Sequence, residues 1–472
     1  MSDRAPTSRL SGWGGAVSSE ADVVRATSAA EVAEIFRRAR ERRVTVGLRG
    51  GGCAYGDAAL NGGGLVVDLS SMDRVLAFDP TTGIVRAEAG VRVSDLWRLG
   101  IPHGWWPPVV PGTAVPTLGG VLAANIHGKN AFHAGTIANH VDAFTIVLPS
   151  GETRRVSRES DSSLFHAVPG SFGLLGCVVD VTLRLRKVPG GRLKVSVFAP
   201  RSLREMADTF DRHCAEADYL VGWIDGFARG PRLGRGIVHR ADYAGPGDDP
   251  LARESLDVAR QELPTRLFGV VPKSCMWMLL RPFVNDVGMR AINALKDGAG
   301  VREARRGTSY LQSHAAFAFL LDYVPGWKRS YGRGGLIQYQ SFVPLREALR
   351  VHAELIRLAQ DRGLPPYLLV YKRHRAEPFL LTHAVDGYSL AMDFRVTDAR
   401  RERLWALCRE FDGIVTSAGG RIYFAKDATA SPETIRAAWG DAELATFREL
   451  RRSVDPDRVL RSDLGARLDL LA

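Results

Sequence analysis

At 472 residues the chain is longer than one ordinary core encloses, so two domains are expected. Its 45% apolar and 24% charged residues are those of a folded globular protein, and no apolar run approaches the ~20 residues of a spanning helix. A net charge of +11 admits nucleic acid, an anionic membrane face or an anionic substrate, beside a plain excess of solvated arginine such as 37–43; without an aromatic-interleaved basic motif, nucleic acid fits worst.

The first six residues, Met1 to Pro6, lack the apolar core of a signal peptide, so a cytoplasmic protein is expected. Ser28 and Glu31 form a capping box before an amphipathic helix with Val32, Ile35, Phe36 and Ala39 on one face. A strand at 45–48 feeds a loop in which eight of the twenty residues 47–66 are glycine, and a second strand, 64–69, leaves it. Without Cβ atoms the backbone N–H groups there can turn toward an anion, and a diphosphate suits such a nest. A flexible surface loop is the plainer alternative. No G-x-G-x-x-G opens a helix, and no G-K-[ST] follows.

Strands at 84–89, 143–148, 152–156 and 175–185 and short helices at 94–99 and 161–166 follow. Between them, 111–130 is a second segment of glycines and hydroxyls that ends in the polar cluster His127, Lys129 and Asn130. The Pro and Gly of 187–191 mark a boundary. Beyond it, strands at 194–198, 220–225, 336–343, 367–372 and 387–395 alternate with helices at 202–215, 344–362 and 398–411, which suggests an antiparallel sheet covered by helices on one face. The basic stretch 226–333 reads as turns and partly mobile loops near a substrate mouth. Five cysteines without C-x-x-C spacing argue against zinc and against a disulfide framework, so no metal site is expected.

Several segments together carry a family resemblance. They are Leu10-Ser11-Gly12-Trp13-Gly14, Tyr55-Gly56-Asp57, His127-Gly128-Lys129-Asn130, Leu336 to Gln340, Gly420 to Asp427 and Val454 to Val459. The chain resembles the vanillyl-alcohol-oxidase superfamily, FAD enzymes with a p-cresol-methylhydroxylase-type (PCMH-type) cofactor domain, and within it the decaprenylphosphoryl-β-D-ribose 2-oxidase family. The resemblance covers nearly the whole chain. It implies an α+β fold with an FAD-binding domain at 1–190, a substrate domain at 191–417 and a C-terminal segment, 418–472, returning to the first.

The same resemblance places FAD against Leu48, Arg49, Gly50, Gly51, Gly52, Cys53, Ala54, Tyr55, Gly56, Asp57 and Ala58. It adds Gly112, Thr113, Thr117, Leu118, Gly119, Gly120, Ala124, Asn125, Ile126 and His127 from the second segment, Val178 from a third, and Tyr423. Where many relatives join a histidine covalently to the flavin, this chain has Cys53, and a small buried thiol leaves FAD non-covalent. Lys426 would be a surface lysine paired with Asp427 on pattern alone; the family motif makes it the catalytic group, with Tyr423 as a cofactor contact.

Gln338 and Gln340, two apart on a strand, face one side of the sheet and suit either sugar hydroxyls or solvent. Lys372 could neutralise a substrate phosphate and Trp223 could wall the pocket, as could His127 and Lys129. Catalytic roles thus fall to Lys426, Tyr423, Gln338 and Lys372. The chain departs from the family at Ser389 and Ala391, where asparagine and cysteine are expected, which alters the substrate wall.

The activity so implied is oxidation of a secondary sugar hydroxyl to a ketone, on the 2′-carbon of a polyprenyl-phosphate-linked ribose in cell-wall precursor epimerisation. An NAD-dependent short-chain reductase would be the partner, and peripheral contact with an anionic membrane is compatible. An alditol or aldonolactone oxidase using O₂ and a flavin-less binding protein are the alternatives.

Overall fold

The computed structural model describes residues 6–267 and 271–471. Residues 1–5 of the leader reading and 268–270 of the basic stretch lie outside the described residues.

The N-terminal part carries two sheets. In the first, Ser18–Arg25 and Val46–Arg49 flank Leu65–Asp68 in parallel, and Thr7–Ser11 adds an antiparallel edge. The helix Ala29–Arg42 makes the crossover. The Ser28 hydroxyl accepts from the Glu31 N–H at 3.2 Å, and the Glu31 carboxylate reaches back to the Thr27 N–H at 2.8 Å, one residue beyond the expected box. Val32, Phe36 and Ala39 are buried as the periodicity requires. The glycine-rich loop 50–64 therefore joins two neighbouring strands. The second sheet is antiparallel, in the order Val75–Asp79, Ile84–Glu88, Cys177–Arg184, Val141–Val147, Thr153–Ser157.

An eight-stranded antiparallel sheet follows: Tyr310–Ser313, Arg192–Phe198, Gly236–Tyr243, Tyr219–Ile224, Leu368–His374, Gly387–Arg395, Leu336–Pro344, Arg421–Ile422. The two-residue period divides its side chains between two faces. Tyr371 and Tyr388 point at the helices Leu203–His213 and Leu345–Asp361; Phe210 meets both edge-on at 5.6 and 5.9 Å. A Cβ on Gly222 would stand 2.8 Å from Met206 Sδ on that face. The opposite face turns Trp223, Lys372, Ala391, Gln338 and Gln340 toward the glycine loops. Register aligns them, with Trp223 opposite Val370, Val370 opposite Ala391, and Ala391 opposite Gln340.

The mixed α+β architecture is the one expected, with additions. The stretch 226–333 is not chiefly loop: it contains the strands Gly236–Tyr243 and Tyr310–Ser313 and the helix Asp286–Arg306. That helix buries Asn293, Asp297 and Gly300, so it has no apolar stripe to betray it; Asp297 is held by Arg201 at 2.8 Å. The strands Thr7–Ser11, Ser18–Arg25 and Val75–Asp79 are half exposed and mix charge into their pattern, and the helix Pro432–Val454 is bent at Gly440.

The C-terminal residues clasp the first sheet. The Val46 N–H donates to the Val459 carbonyl at 2.7 Å, and the Arg461 N–H to the Val46 carbonyl at 2.9 Å. Arg467 makes a bidentate pair with Asp57 at 2.8 Å and reaches Asp427 at 2.9 Å. Removing it leaves two buried carboxylates facing each other. Arg467→Ala should therefore cost about 3–5 kcal/mol of stability and weaken cofactor retention. The thermal midpoint of the holoprotein checks this, and an unchanged midpoint contradicts it.

Candidate active site

The sheet face and the two glycine segments enclose a cavity of about 500 Å³. Absence of side chains is what lets its glycine-lined wall close. A Cβ on Gly50 would come within 2.1 Å of Thr117 Oγ1, and one on Gly56 within 1.7 Å of the Asp427 carbonyl. The Gly51 N–H reaches Thr117 Oγ1 at 3.3 Å, while the N–H groups of Gly52, Cys53 and Ala54 donate to no protein acceptor among the described residues. Three successive free donors on a cavity wall suit a diphosphate.

From the first loop, Leu48 through Tyr55 and Ala58 line the cavity, whereas Gly56 and Asp57 stand behind it; Asp57 is engaged by Arg467. From the second, Gly112, Thr113, Thr117, Gly119, Gly120, Ala124, Ile126 and His127 line it, and Val178 joins them. Leu118 is core, and Asn125 is buried in left-handed backbone with its amide oxygen 3.4 Å from the Ala138 N–H. Thr113 donates to Asp322 at 2.6 Å, which ties this loop to 320–323.

At the other end stand Lys129, Trp223, Gln338, Gln340, Lys372, Ala391, Tyr423 and Lys426. Ser389 does not line the cavity; its hydroxyl lies 2.8 Å from His374 Nε2 and 3.5 Å from the Gln340 amide nitrogen. Gln340 in turn contacts His127 Nε2 at 3.0 Å. Arg373 points to the far face, where it pairs with Asp386 at 2.6 Å. Tyr423 donates to the Ala124 carbonyl at 3.0 Å. Lys426 is not paired with Asp427, which belongs to Arg467; its ammonium stands 3.8 Å from the Tyr55 ring centroid.

The residue the sequence reading missed is Asp393. It is buried, accepts from the Gln338 amide through one oxygen and has no hydrogen-bond donor at the other. Its position two residues beyond Ala391 puts it on the same face, so strand alternation alone would have found it. Lys296, 4.6 Å from the Trp223 ring centroid, and His239 were hidden in the stretch taken for loops.

Charge is distributed unequally. Arg49, Lys129, Lys296, Lys372 and Lys426 face the cavity, against Asp393 as the one carboxylate among its described lining residues. Burial pushes Lys372 down to about 8 and Lys129 to about 7, the latter helped by the charge of Lys372. Lys426 is lowered far below the usual lysine range, by burial first; Asp393 opposes the shift and Lys372 adds to it. Burial raises Asp393 despite its Gln338 bond. His127 is held neutral by burial and the surrounding cations.

A family model for an FAD binding domain matches residues 21–157. Decaprenylphosphoryl-beta-D-ribose oxidase of Mycolicibacterium smegmatis is 32% identical over 98% of each chain. An uncharacterized protein from the mprA 5′ region of Streptomyces coelicolor is 35% identical over 80% of this chain and all of its own. L-gulonolactone oxidase of Bos taurus is 31% identical over 41% of this chain and 43% of its own.

Cys53 bears on how the flavin is held. Its thiol donates to the Gly51 carbonyl at 3.3 Å, and burial pushes its pKa up to about 11, so little nucleophilic thiolate forms near neutrality. All FAD should therefore be released on acid precipitation, and Cys53→Ala should keep its yellow colour. Flavin fluorescence remaining with the denatured chain contradicts this.

Proposed function

Because the chain belongs to the family of decaprenylphosphoryl-β-D-ribose oxidases, FAD-dependent oxidoreductases, we propose that it oxidises the 2′-hydroxyl of a polyprenyl-phosphate-linked ribose to a ketone. The observation that carries the reading is a lysine of depressed basicity in the wall where flavin-loop residues meet a polar sheet face. We also propose that residues 1–190, 191–417 and 418–472 act as cofactor domain, substrate domain and return segment. On this reading a short-chain reductase consumes the ketone, and the enzyme works at the cytoplasmic face of a membrane. No helix among the described residues is long and apolar enough to cross one.

When bound, FAD supplies a two-electron acceptor for the hydride leaving the sugar carbon. The chain's residues manage the proton and the charge. Lys426, neutral in a useful fraction, takes the hydroxyl proton as the carbonyl forms. Asp393 faces the resulting ammonium across the cavity and offsets its burial. Gln338, fixed by Asp393, and Gln340, fixed against His127, present amides to the sugar hydroxyls. Lys372 and Lys129 sit where the phosphate charge needs balancing. Tyr423 braces the second flavin segment through Ala124.

Lys426→Ala should retain FAD and slow its reduction by substrate roughly 10²–10⁴-fold, and Lys426→Arg should restore little, because guanidinium stays protonated. Anaerobic stopped-flow at saturating substrate checks both; a rate within about threefold of wild type, far short of the acid–base range, removes Lys426 from the mechanism.

A pH profile tests the pairing. The base must be neutral, so reduction should rise with pH through the lowered lysine pKa and level off well below the ordinary value of about 10.4. A nearby carboxylate stabilises the ammonium and raises that pKa; Asp393→Asn removes the charge and should move the limb to lower pH. A limb that stays in place or moves up separates Asp393 from Lys426.

A further inference from the structure

Residues 271–333 hold ten lysines and arginines against four acids, and so six of the chain's eleven net positive charges. The same segment shows the outside an unusual set of side chains. Met278 and Leu279 in the helix Met276–Leu280, Phe283 in the turn after it, and Val287 at the start of the helix Asp286–Arg306 are 49%, 55%, 53% and 80% exposed. Arg281, between Leu279 and Phe283, and Arg290, one turn past Val287, are exposed with them. Scattered exposed apolar residues need no explanation; four within ten residues, with Arg281 among them and Arg290 just beyond, do.

The patch lies one layer from the cavity. Val284 and Met289 turn inward from it into a cluster with Tyr55 and Trp13, both of which line the cavity. The turn Trp327–Tyr331 packs beneath the helix Met276–Leu280, with Arg329 near the Trp277 ring and Lys328 over the Trp13 ring at 3.2 Å. Leu320 lines the cavity and is itself 54% exposed, so the mouth opens with an apolar lip.

We infer that this apron, Met278, Leu279, Phe283 and Val287 with Arg281 and Arg290, docks the enzyme on an anionic lipid bilayer. The apolar side chains enter the headgroup region while the arginines meet lipid phosphates, as in interfacial amphipathic segments. A charge of this sign favours an anionic lipid surface, and the apolar lip suits a substrate whose chain stays in the bilayer while its sugar enters the cavity. The inference rests on the lipid-linked substrate reading above and specifies where such a substrate is met.

The test is co-sedimentation of the holoenzyme with vesicles of phosphatidylglycerol and phosphatidylcholine, or of phosphatidylcholine alone. Wild type should bind the anionic vesicles, bind neutral ones weakly, and be released by high salt as its charges are screened. Leu279→Glu/Phe283→Glu should weaken binding at least about tenfold, and Arg281→Ala about fivefold, the worth of one basic residue at such a surface. Flavin absorbance and turnover of a short-chain, water-soluble substrate should stay unchanged in these variants, which shows that they fold. Absence of anionic-vesicle binding, or binding untouched by the variants, overturns the inference. So does a concentration-dependent dimer that the same variants disperse, since the patch then joins two copies. Failure to oxidise the water-soluble substrate would instead strike the substrate reading, whatever the vesicles show.

Discussion

The geometry of the site hangs on four residues of backbone, 54–57, held from both sides. The Trp13 N–H donates to the Ala54 carbonyl at 2.7 Å, and the Tyr55 N–H donates to the Ala425 carbonyl at 2.8 Å. Gly56 lies so close to Asp427 that no side chain fits, and Arg467 joins Asp57 to Asp427. The strand-to-strand loop of the cofactor wall is thereby fastened directly to the turn bearing Tyr423 and Lys426. Two buried carboxylates this close would repel; the guanidinium converts that repulsion into a clamp. The distance between the glycine-loop wall and the turn bearing Lys426 is set by main-chain hydrogen bonds rather than by flexible side chains.

A second constraint is electrostatic. Several ammonium groups around one cavity, with a single facing carboxylate among the described lining residues, are unfavourable while the cavity holds only water. Burial lowers Lys372, Lys129 and Lys426, and the charge of Lys372 lowers the other two further. On the proposed reading, a substrate phosphate would reverse the balance for the lysines nearest it. Those would then charge and leave Lys426, beside Tyr55, as the proposed proton acceptor. One set of buried lysines can in this way divide into anion holders and a base according to distance from the bound charge.

What the sequence disclosed follows from which signals are local. The two glycine segments were legible because close backbone approach demands glycine whatever surrounds it, and both line the cavity. Gln338 and Gln340 were legible through strand alternation, whereas Lys372 and Trp223 were singled out without it. Asp57 illustrates the limit: it sits in the flavin loop by sequence but turns away from the cavity to meet Arg467, a partner 410 positions along the chain. Lys296 stayed hidden because its helix buries polar residues and glycine, so no apolar periodicity marked it. The eight-strand order, in which Leu336–Pro344 pairs with Gly387–Arg395 and with Arg421–Ile422, depends on long-range register that no local pattern encodes.

The two departures from the family pattern act in different ways. Ala391 lines the cavity in the row between Val370 and Gln340, so its small side chain leaves open floor where a larger one would stand. Ser389 is one row over, turned toward His374 and the Gln340 amide, and does not line the cavity. It belongs to a hydrogen-bonded chain running from His374 through Ser389 and Gln340 to His127. A hydroxyl there can donate to one neighbour and accept from the other, which fixes how the Gln340 amide is turned and which of its ends faces the cavity. The change at 391 therefore alters the shape of the cavity floor, and the change at 389 alters the polarity that Gln340 presents to the cavity.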